Sequence, residues 1–370
     1  MSLLEELLNK YCPDGVEYKK LDEVISILDN LRKPVSKDKR TKGIYPYYGA
    51  NGIQDYVDNY LFDGTFILMG EDGSVINKDN SPVLNWASGK IWVNNHAHIL
   101  FNDNINTLRF VFYYLQTTDV SNIVRGTPPK INQQNLRNIE IPLPPIEIQK
   151  EIVRILDTFT ELTTELTTEL TLRKKQYEYY RDKLLTFGDD IEWKNLSDIA
   201  EIGTGSSNTN EEIENGKYPF FVRSQEVRSK NEYEYDETAI ITSGDGVGVG
   251  KIFHYVEGKY ALHQRAYRIH IIDKNVIPKY YFYYMKTTFL HYIEKTSFHS
   301  SVTSIRRPML NNFPVPVPPL EEQERIVKIL DRFEALCNDI SSGLPAEIEM
   351  RKKQYEYYRD KLLTFKEKKV

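Results

Sequence analysis

The chain has 370 residues, 40% of them apolar and 27% charged, with a net charge of −5. That length calls for two or more domains and that balance for a soluble globular fold, while the acidic excess excludes a protein that grips phosphate over its whole surface. Two cysteines far apart, Cys12 and Cys337, exclude a disulfide scaffold and fit a reducing cytoplasm. The opening MSLLEELLNKY is too short and too acidic for a signal peptide, and no apolar run approaches a membrane span. Twenty-six tyrosines favour a protein that makes contacts, because tyrosine offers large area and a polar tip at low entropic cost.

Residues 1–140 carry short β-branched and aromatic runs, such as Ile44-Tyr-Pro-Tyr-Tyr48 and Phe66-Ile-Leu-Met-Gly70, broken by Asn-Gly and Asp-Gly pairs. These read as strands and hairpins. Arg109-Phe-Val-Phe-Tyr-Tyr-Leu115 reads as one helix. Two polar stretches stand out, one holding Asn94, Asn95, His96 and His98, the other Lys130, Asn132, Gln133 and Gln134. Asn and Gln pair with adenine edges and Lys with guanine, so these are candidate DNA contacts. His96 and His98 have no nearby carboxylate or cysteine in the sequence, and no metal site is expected there.

Residues 141–187 open with Ile141-Pro-Leu-Pro-Pro145, where prolines suit a helix start. Apolar residues at steps of three and four then include Ile152, Phe159, Leu162, Leu166, Leu170, Tyr177, Tyr180 and Leu184. This predicts one amphipathic rod of about 40 residues and about 60 Å, which needs a partner. Inside it, residues 160–171 are three tandem copies of TELT. One such unit lengthens a helix by ~6 Å and turns it by ~40° beyond a full turn. A base pair advances ~3.4 Å and turns by roughly 35°. Adding or removing a unit should therefore change the separation of two DNA readers by about one base pair.

Residues 188–314 repeat the skeleton of 1–140 with different fillings. Lys217-Tyr-Pro-Phe-Phe221 matches 44–48, Ala239-Ile-Ile-Thr-Ser-Gly-Asp-Gly246 matches 66–73, and Lys279-Tyr-Tyr-Phe-Tyr-Tyr-Met285 matches 109–115. The candidate contacts here are Arg223, Gln225, Arg228, His263, Gln264, Arg265, Ser301, Thr303, Arg306 and Arg307. Gly244-Asp-Gly-Val-Gly-Val-Gly-Lys251 tempts a phosphate-loop reading and fails it. Asp245 stands where the first glycine belongs, and Ile252 replaces the Ser or Thr that would hold magnesium. A two-stranded hairpin is expected instead.

Residues 315–370 return to the constant pattern. Val315-Pro-Val-Pro-Pro319 echoes 141–145, Ile326-Val-Lys-Ile-Leu330 echoes 152–156, and the fifteen residues RKKQYEYYRDKLLTF at 351–365 duplicate 173–187 letter for letter. The apolar face continues through Leu336, Ile340, Tyr355, Tyr358 and Leu362, and the two rods are expected to pair antiparallel. Arg351 lies four residues further from Arg173 than Pro316 does from Pro142, and the extra length includes Ser341-Ser-Gly-Leu-Pro345. Gly followed by Pro should stop or kink the helix, with Pro345 near the start of a new one. No serine-hydrolase, methyltransferase or nuclease motif is found, so a chain without its own catalysis is expected.

The duplicated P-x-P-P-[IL]-x-x-Q-x-x-I-V-x-I-L-D, followed by R-K-K-Q-Y-E-Y-Y-R-D-K-L-L, and the opening Cys12-Pro-Asp-Gly-Val-Glu-Tyr18 resemble the conserved regions of the specificity subunit of type I restriction–modification systems. The resemblance spans the whole chain. It implies an α+β architecture with a pseudo-twofold internal repeat: target recognition domains at 1–140 and 188–314, each of mixed strands with few helices, separated by antiparallel helical spacers at 141–187 and 315–370 that form a coiled-coil-like ruler. It further implies that each domain reads one half of a bipartite site in double-stranded DNA. Two methyltransferase subunits would dock on the helices and restriction subunits would join them, all in the cytoplasm and away from any membrane. S-adenosylmethionine, ATP and magnesium would belong to those partners, leaving this chain without cofactor or metal. The alternatives are a single-chain fusion of restriction, modification and specificity, and a structural assembly protein whose Tyr-rich domains bind other proteins.

Overall fold

The computed structural model describes residues 3–296 and 304–368. The chain forms two units, Met1–Leu166 with Ile348–Val370, and Thr167–Glu347. In chain order the first unit holds helix α1 (Leu3–Tyr11), strand β1 (Tyr18–Lys20), α2 (Leu21–Val24), β2 (Ser26–Ile27), β3 (Lys42–Gly49), β4 (Gly52–Val57), β5 (Phe62–Gly70), β6 (Leu84–Val93), β7 (Ala97–Phe101), α3 (Ile105–Leu115), α4 (Gln133–Arg137), β8 (Glu140–Pro142) and the first half of α5 (Ile146–Leu184). The second holds the rest of α5, then β9 (Trp193–Asn195), α6 (Leu196–Ile199), β10 (Ala200–Thr204), β11 (Tyr218–Phe221), β12 (Arg228–Lys230), β13 (Tyr235–Ser243), β14 (Phe253–Leu262), β15 (Ala266–Ile271), α7 (Pro278–Thr296), α8 (Arg307–Asn311), β16 (Pro314–Pro316) and α9 (Leu320–Asn338). Helix α10 (Leu344–Leu362) begins there and returns the chain to the first unit.

Each unit is built on a six-stranded sheet, and the two sheets have the same strand order, β2-β7-β5-β6-β3-β4 and β10-β15-β13-β14-β11-β12. In both, one pair alone is parallel, β3 with β6 and β11 with β14. Alternation sorts the two faces of each sheet. Along β5, Ile67 and Met69 face α3 and α5, whereas Phe66 and Leu68 pack with Ile91 and Ile99 on the opposite side. Along β13, Ile240 and its flanking residues Ala239 and Ile241 divide in the same way. A small second ladder joins the segment that precedes each six-stranded sheet to the segment that follows it, pairing Tyr18 with Pro142 and Trp193 with Pro316. The glycine-rich stretch 244–251 is the connection between β13 and β14. The hairpin expected there is present, with its strands on either side of the stretch rather than within it.

The rod expected from residue 146 is one continuous helix of 39 residues, about 58 Å long at ~1.5 Å per residue. Threonines of the TELT array bond back to the preceding turn, Thr160 to the Leu156 carbonyl at 2.9 Å and Thr164 to that of Thr160 at 2.8 Å. In the first unit α5 runs antiparallel to α10, with Phe159 stacked on Tyr358 at 5.3 Å between ring centres. In the second it runs antiparallel to α9, with Phe333 lying 6.0 Å from Tyr177 and 6.1 Å from Tyr180.

The second constant region is two helices of 19 residues, separated at the Ser341-Ser-Gly-Leu-Pro345 stretch where a stop was expected, so the second spacer is not one long helix to match α5. Asp339 ends α9 by accepting the Ser341 amide at 2.7 Å and the Ser341 hydroxyl at 2.6 Å. Its neighbour Gly343 lies so close to the end of α9 that a Cβ there would sit 2.5 Å from the Ala335 carbonyl oxygen. Pro345 falls in the first turn of α10. Ile340 consequently lies in the turn and is 85% exposed, not on the helical face assigned to it from periodicity.

Repeat-equivalent polar contacts fasten sheet-side helix to spacer helix. Asp157 on α5 takes Arg109 Nε at 2.8 Å and the Tyr113 hydroxyl. Asp331 on α9 takes Lys279 Nζ at 2.9 Å and the Tyr283 hydroxyl at 2.6 Å. The glutamine of the Pro-Pro motif has a local role in both copies. Gln149 donates to the Pro144 carbonyl at 2.7 Å, and Gln323 to that of Pro318 at 2.8 Å, satisfying a carbonyl that lies just before the first turn of the helix and has no helical donor. Among the described residues no helix is long and apolar enough to cross a membrane.

Candidate nucleic-acid interface

Three loops meet at the ends of the interior strands of each sheet, and the same backbone bonds knot them in both units. In the first, the Glu71 amide donates to the His96 carbonyl at 2.9 Å and the Ile131 amide to the Glu71 carbonyl at 2.9 Å; in the second, Gly244 donates to Arg265 at 2.9 Å and Ile305 to Gly244 at 2.8 Å. Isolated bridges pair Asp72 with Lys130 and Asp245 with Ser304. The turn after the central strand needs a left-handed residue in each copy, supplied by Gly73 at φ +77° and Gly246 at φ +83°. The segments singled out for base contact are therefore brought together within each unit.

The residues in them divide by what they touch. Asn94 and His263 hold equivalent places and are buried. Asn94 Oδ1 accepts the His96 amide at 2.8 Å and His263 Nδ1 accepts the Arg265 amide at 3.0 Å. These two side chains staple the turn from inside. Burial, then the charges of nearby arginines, pushes the His263 imidazole below its usual range. Asn132 caps α4 by accepting the Asn135 amide at 2.7 Å, and Gln133 donates to Asp29 at 3.1 Å.

Asn95, His96, Lys130, Gln134, Gln225, Gln264, Arg265, Arg306 and Arg307 are exposed. His96 pairs with Asp72, and Gln264 donates to Asn208. Arg265 lies 3.2 Å and Arg223 2.6 Å from Asp245, and Arg228 pairs with Glu212 at 2.6 Å. Burial alone would raise the Asp245 carboxyl, but Arg223 and then Arg265 hold it below the usual carboxylate range. Ser301 and Thr303 lie outside the described residues.

Both histidines of the first unit have carboxylate partners that sequence distance concealed. His98 is fully buried; its Nδ1 lies 2.6 Å from Asp29 and its Nε2 2.9 Å from the Ile131 carbonyl. Glu71 lies beside them, so Asp29, Glu71 and His98 have the makings of a three-ligand cation site. Arg32 already bridges both carboxylates, at 2.5 Å to Glu71 and 3.5 Å to Asp29, and Lys130 adds a contact to Glu71 at 3.0 Å. Burial would raise the Asp29 carboxyl, yet His98, the Ile99 amide and Arg32 together hold it low. The carboxylates are thus consumed by internal cations, and the cluster locks the three loops to each other. The matching Asp72-Gly73 and Asp245-Gly246 pairs carried a signal for this knot in the sequence, where they read simply as turns.

Of the helical face proposed for partners, Tyr177 is buried, while Leu166, Leu170, Leu184, Tyr355, Tyr358 and Leu362 are half-buried within their units. Leu162, Tyr180 and Leu336 keep more than a third of their surface exposed.

The family described as the type I restriction modification DNA specificity domain matches twice, at residues 13–173 and 188–350. A protein of Haemophilus influenzae assigned as a type I restriction enzyme specificity subunit is 36% identical over 98% of each chain. The EcoR124I/EcoR124II specificity subunit of Escherichia coli is 38% identical over 99% of this chain and 97% of its own. The crystal structure of a type I restriction–modification S subunit from M. genitalium shares the fold, with a TM-score of 0.61 at 16% identity over 94% of this chain and 95% of the other. With two matched domains, near-complete coverage and a shared fold, the chain belongs to the family of type I restriction–modification specificity subunits.

Proposed function

We propose that this chain is the non-catalytic, DNA-reading subunit of a type I restriction–modification complex. Each sheet unit reads one half of a bipartite site in double-stranded DNA through its three-loop knot, and the helices α5, α9 and α10 set the gap and dock two methyltransferase subunits, with restriction subunits joining them. S-adenosylmethionine, ATP and magnesium serve those partners.

The observation that carries this reading is the contrast within each knot. Backbone bonds repeat from one unit to the other, while exposed side chains differ at equivalent places: Asn95 against Gln264, His96 against Arg265, Lys130 against Ser304. One frame presenting two sets of base-pairing groups suits two different half-sites. Phosphate contacts would fix the register and a few side chains would read bases. The net charge of −5 is tolerable if methyltransferase subunits closing round the duplex contribute basic surface.

Co-expression with a cognate methyltransferase subunit, followed by genome-wide mapping of methylated adenines, tests the proposal. A split motif with a fixed gap is the expected result. A stable complex that methylates without any split motif would refute it and favour a structural assembly protein.

A further inference from the structure

Within the three-loop knot one charged side chain is the same in both units, and it is an acid. Asp72 and Asp245 sit at equivalent places before Gly73 and Gly246, while their neighbours diverge. Each engages the residue at the tip of the adjoining turn, His96 in one unit and Arg265 in the other. A carboxylate at a surface that meets phosphate is repulsive, so its presence in both copies asks for a compensating use.

Its geometry supplies one. Arg265 is 61% exposed at its side chain and gives one nitrogen, Nη1, to Asp245. A guanidinium carries five N–H donors in a rigid fork. With Nη1 anchored, Nη2 and Nε remain as a pair of parallel donors, the pattern that matches O6 and N7 of guanine in the major groove. The anchor removes much of the rotamer freedom that a long side chain would otherwise lose on binding. Arg223, 2.6 Å from the same carboxylate, completes its neutralisation. In the other unit His96 Nδ1 faces Asp72, leaving Nε2 as a single pairing atom.

Resting on the DNA-reading function above, we propose that Arg265 reads a guanine in the half-site of the second unit, with Asp245 as its positioning residue, and that His96 with Asp72 holds the equivalent place in the first unit. The two positions are then a matched pair of specificity determinants hung from one constant acid.

The test uses the complex with the methyltransferase subunit, comparing wild type, Arg265→Gln, Asp245→Asn and His96→Ala by methylated-motif mapping and by duplex binding over a salt series. Wild type should give a half-site containing a guanine whose replacement by adenine weakens binding about 5- to 150-fold. Arg265→Gln should abolish that preference at one position and leave the other half-site untouched. Asp245→Asn should relax the same position while steepening the salt dependence, because Arg223 and Arg265 are released to phosphate. A merely structural role for Asp245 would not move the salt slope in that direction. His96→Ala should act on the opposite half-site alone. Arg265 is exposed, so Arg265→Gln leaves folding intact, and a wild-type motif in that variant overturns the proposal. A second-unit half-site without guanine overturns it as well. Absence of any split motif with wild type would instead sink the DNA-reading function itself, which separates the two failures.

Discussion

Replacing Asp157 by alanine tests how firmly a recognition sheet is fastened to its spacer helix. In the first unit this carboxylate is the shared acceptor for Arg109 Nε at 2.8 Å and for the Tyr113 hydroxyl. Tyr113 is 1% exposed, and the Arg109 and Asp157 side chains are 19% and 34% exposed. Two hydrogen bonds to a charged group are worth about 1.5–3 kcal/mol each. Partial exposure screens the ionic share, so a loss of about 2–3 kcal/mol is expected for Asp157→Ala. Asp331→Ala in the second unit should cost less, about 1 kcal/mol. There Lys279 and Asp331 are each 37% exposed, and Tyr283 retains a second acceptor in Glu334 at 2.8 Å. Tyr113→Phe, which keeps the ion pair, should cost about 1 kcal/mol. Urea unfolding followed by tryptophan fluorescence separates these effects, because Trp86 and Trp92 lie in the first unit and Trp193 in the second. Equal losses for Asp331→Ala and Asp157→Ala, or for Tyr113→Phe and Asp157→Ala, would show that the Asp157 carboxylate is not the principal fastener of the first unit.

Deleting residues 164–167, one TELT unit of α5, should shorten the gap between half-sites by one base pair and leave both half-sites unchanged. The rotation of ~40° matches one base-pair step of roughly 35° more closely than the ~6 Å translation matches ~3.4 Å, and a changed half-site in the methylated motif would refute the ruler. Gln323→Leu should lower the melting temperature far more than Gln149→Leu. Gln323 is fully buried and bonded to Pro318, Asn275 and Ile277, whereas the Gln149 side-chain oxygen Oε1 has no partner among the described residues, so equal shifts in a thermal melt would contradict this difference. Stability should also fall at alkaline pH. Burial, ahead of any neighbouring charge, raises the Tyr114 and Tyr355 hydroxyls to about 12 and those of Tyr280, Tyr281 and Tyr283 further. Groups with raised folded values stabilise fully below their unfolded pKa of ~10 and lose that contribution as pH climbs through the folded value. Urea midpoints that stay flat from pH 9 to 11.5 would be inconsistent with it.

The helices were legible because their signal is local. Periodicity marked α5 from Ile152 onward, and Gly343-Leu-Pro345 marked the break that separates α9 from α10. Ile340 was misplaced for the same reason the break was found: a run of three-and-four spacings carries past a stop until something structural, here the Asp339 side chain binding two serines, ends the helix. The sheets were legible as strands but not as an order. Pairing β3 beside β6 joins Tyr47 to Trp92, a contact across more than forty residues that no local pattern encodes. The candidate site was half legible. Polarity and type picked out His96, Lys130 and Arg265, all of which reach the surface. The same criteria picked out Asn94 and His263, which point inward, because an amide or imidazole that staples a turn looks in sequence like one that awaits a base. Glu71, Asp29 and Arg32 were missed because their roles exist only once three distant loops close on each other.

That closure explains why two such different recognition surfaces can grow from one frame. A loop that reads DNA must vary its tips without losing its aim, so its rigidity has to come from atoms that do not vary. Here the aim is set by backbone bonds from Glu71 or Gly244, by a buried staple at 94 or 263, and by one acid at 72 or 245. None of these depends on which base is read. Lys130 can become Ser304 and His96 can become Arg265 because each hangs from a knot already closed by other groups. The staple tolerates Asn or His since either offers an acceptor to the amide two residues on. The acid is the same in both units, and in the second its charge both fixes the Arg265 guanidinium and is quenched by it. Substitutions at the tips should therefore alter sequence preference with little effect on folding, and substitutions at Glu71, Asn94 or His263 should do the reverse. Parallel melting curves and methylated motifs across the two sets would expose any tip variant that unfolds its unit, an outcome that would place these residues in the frame rather than on it.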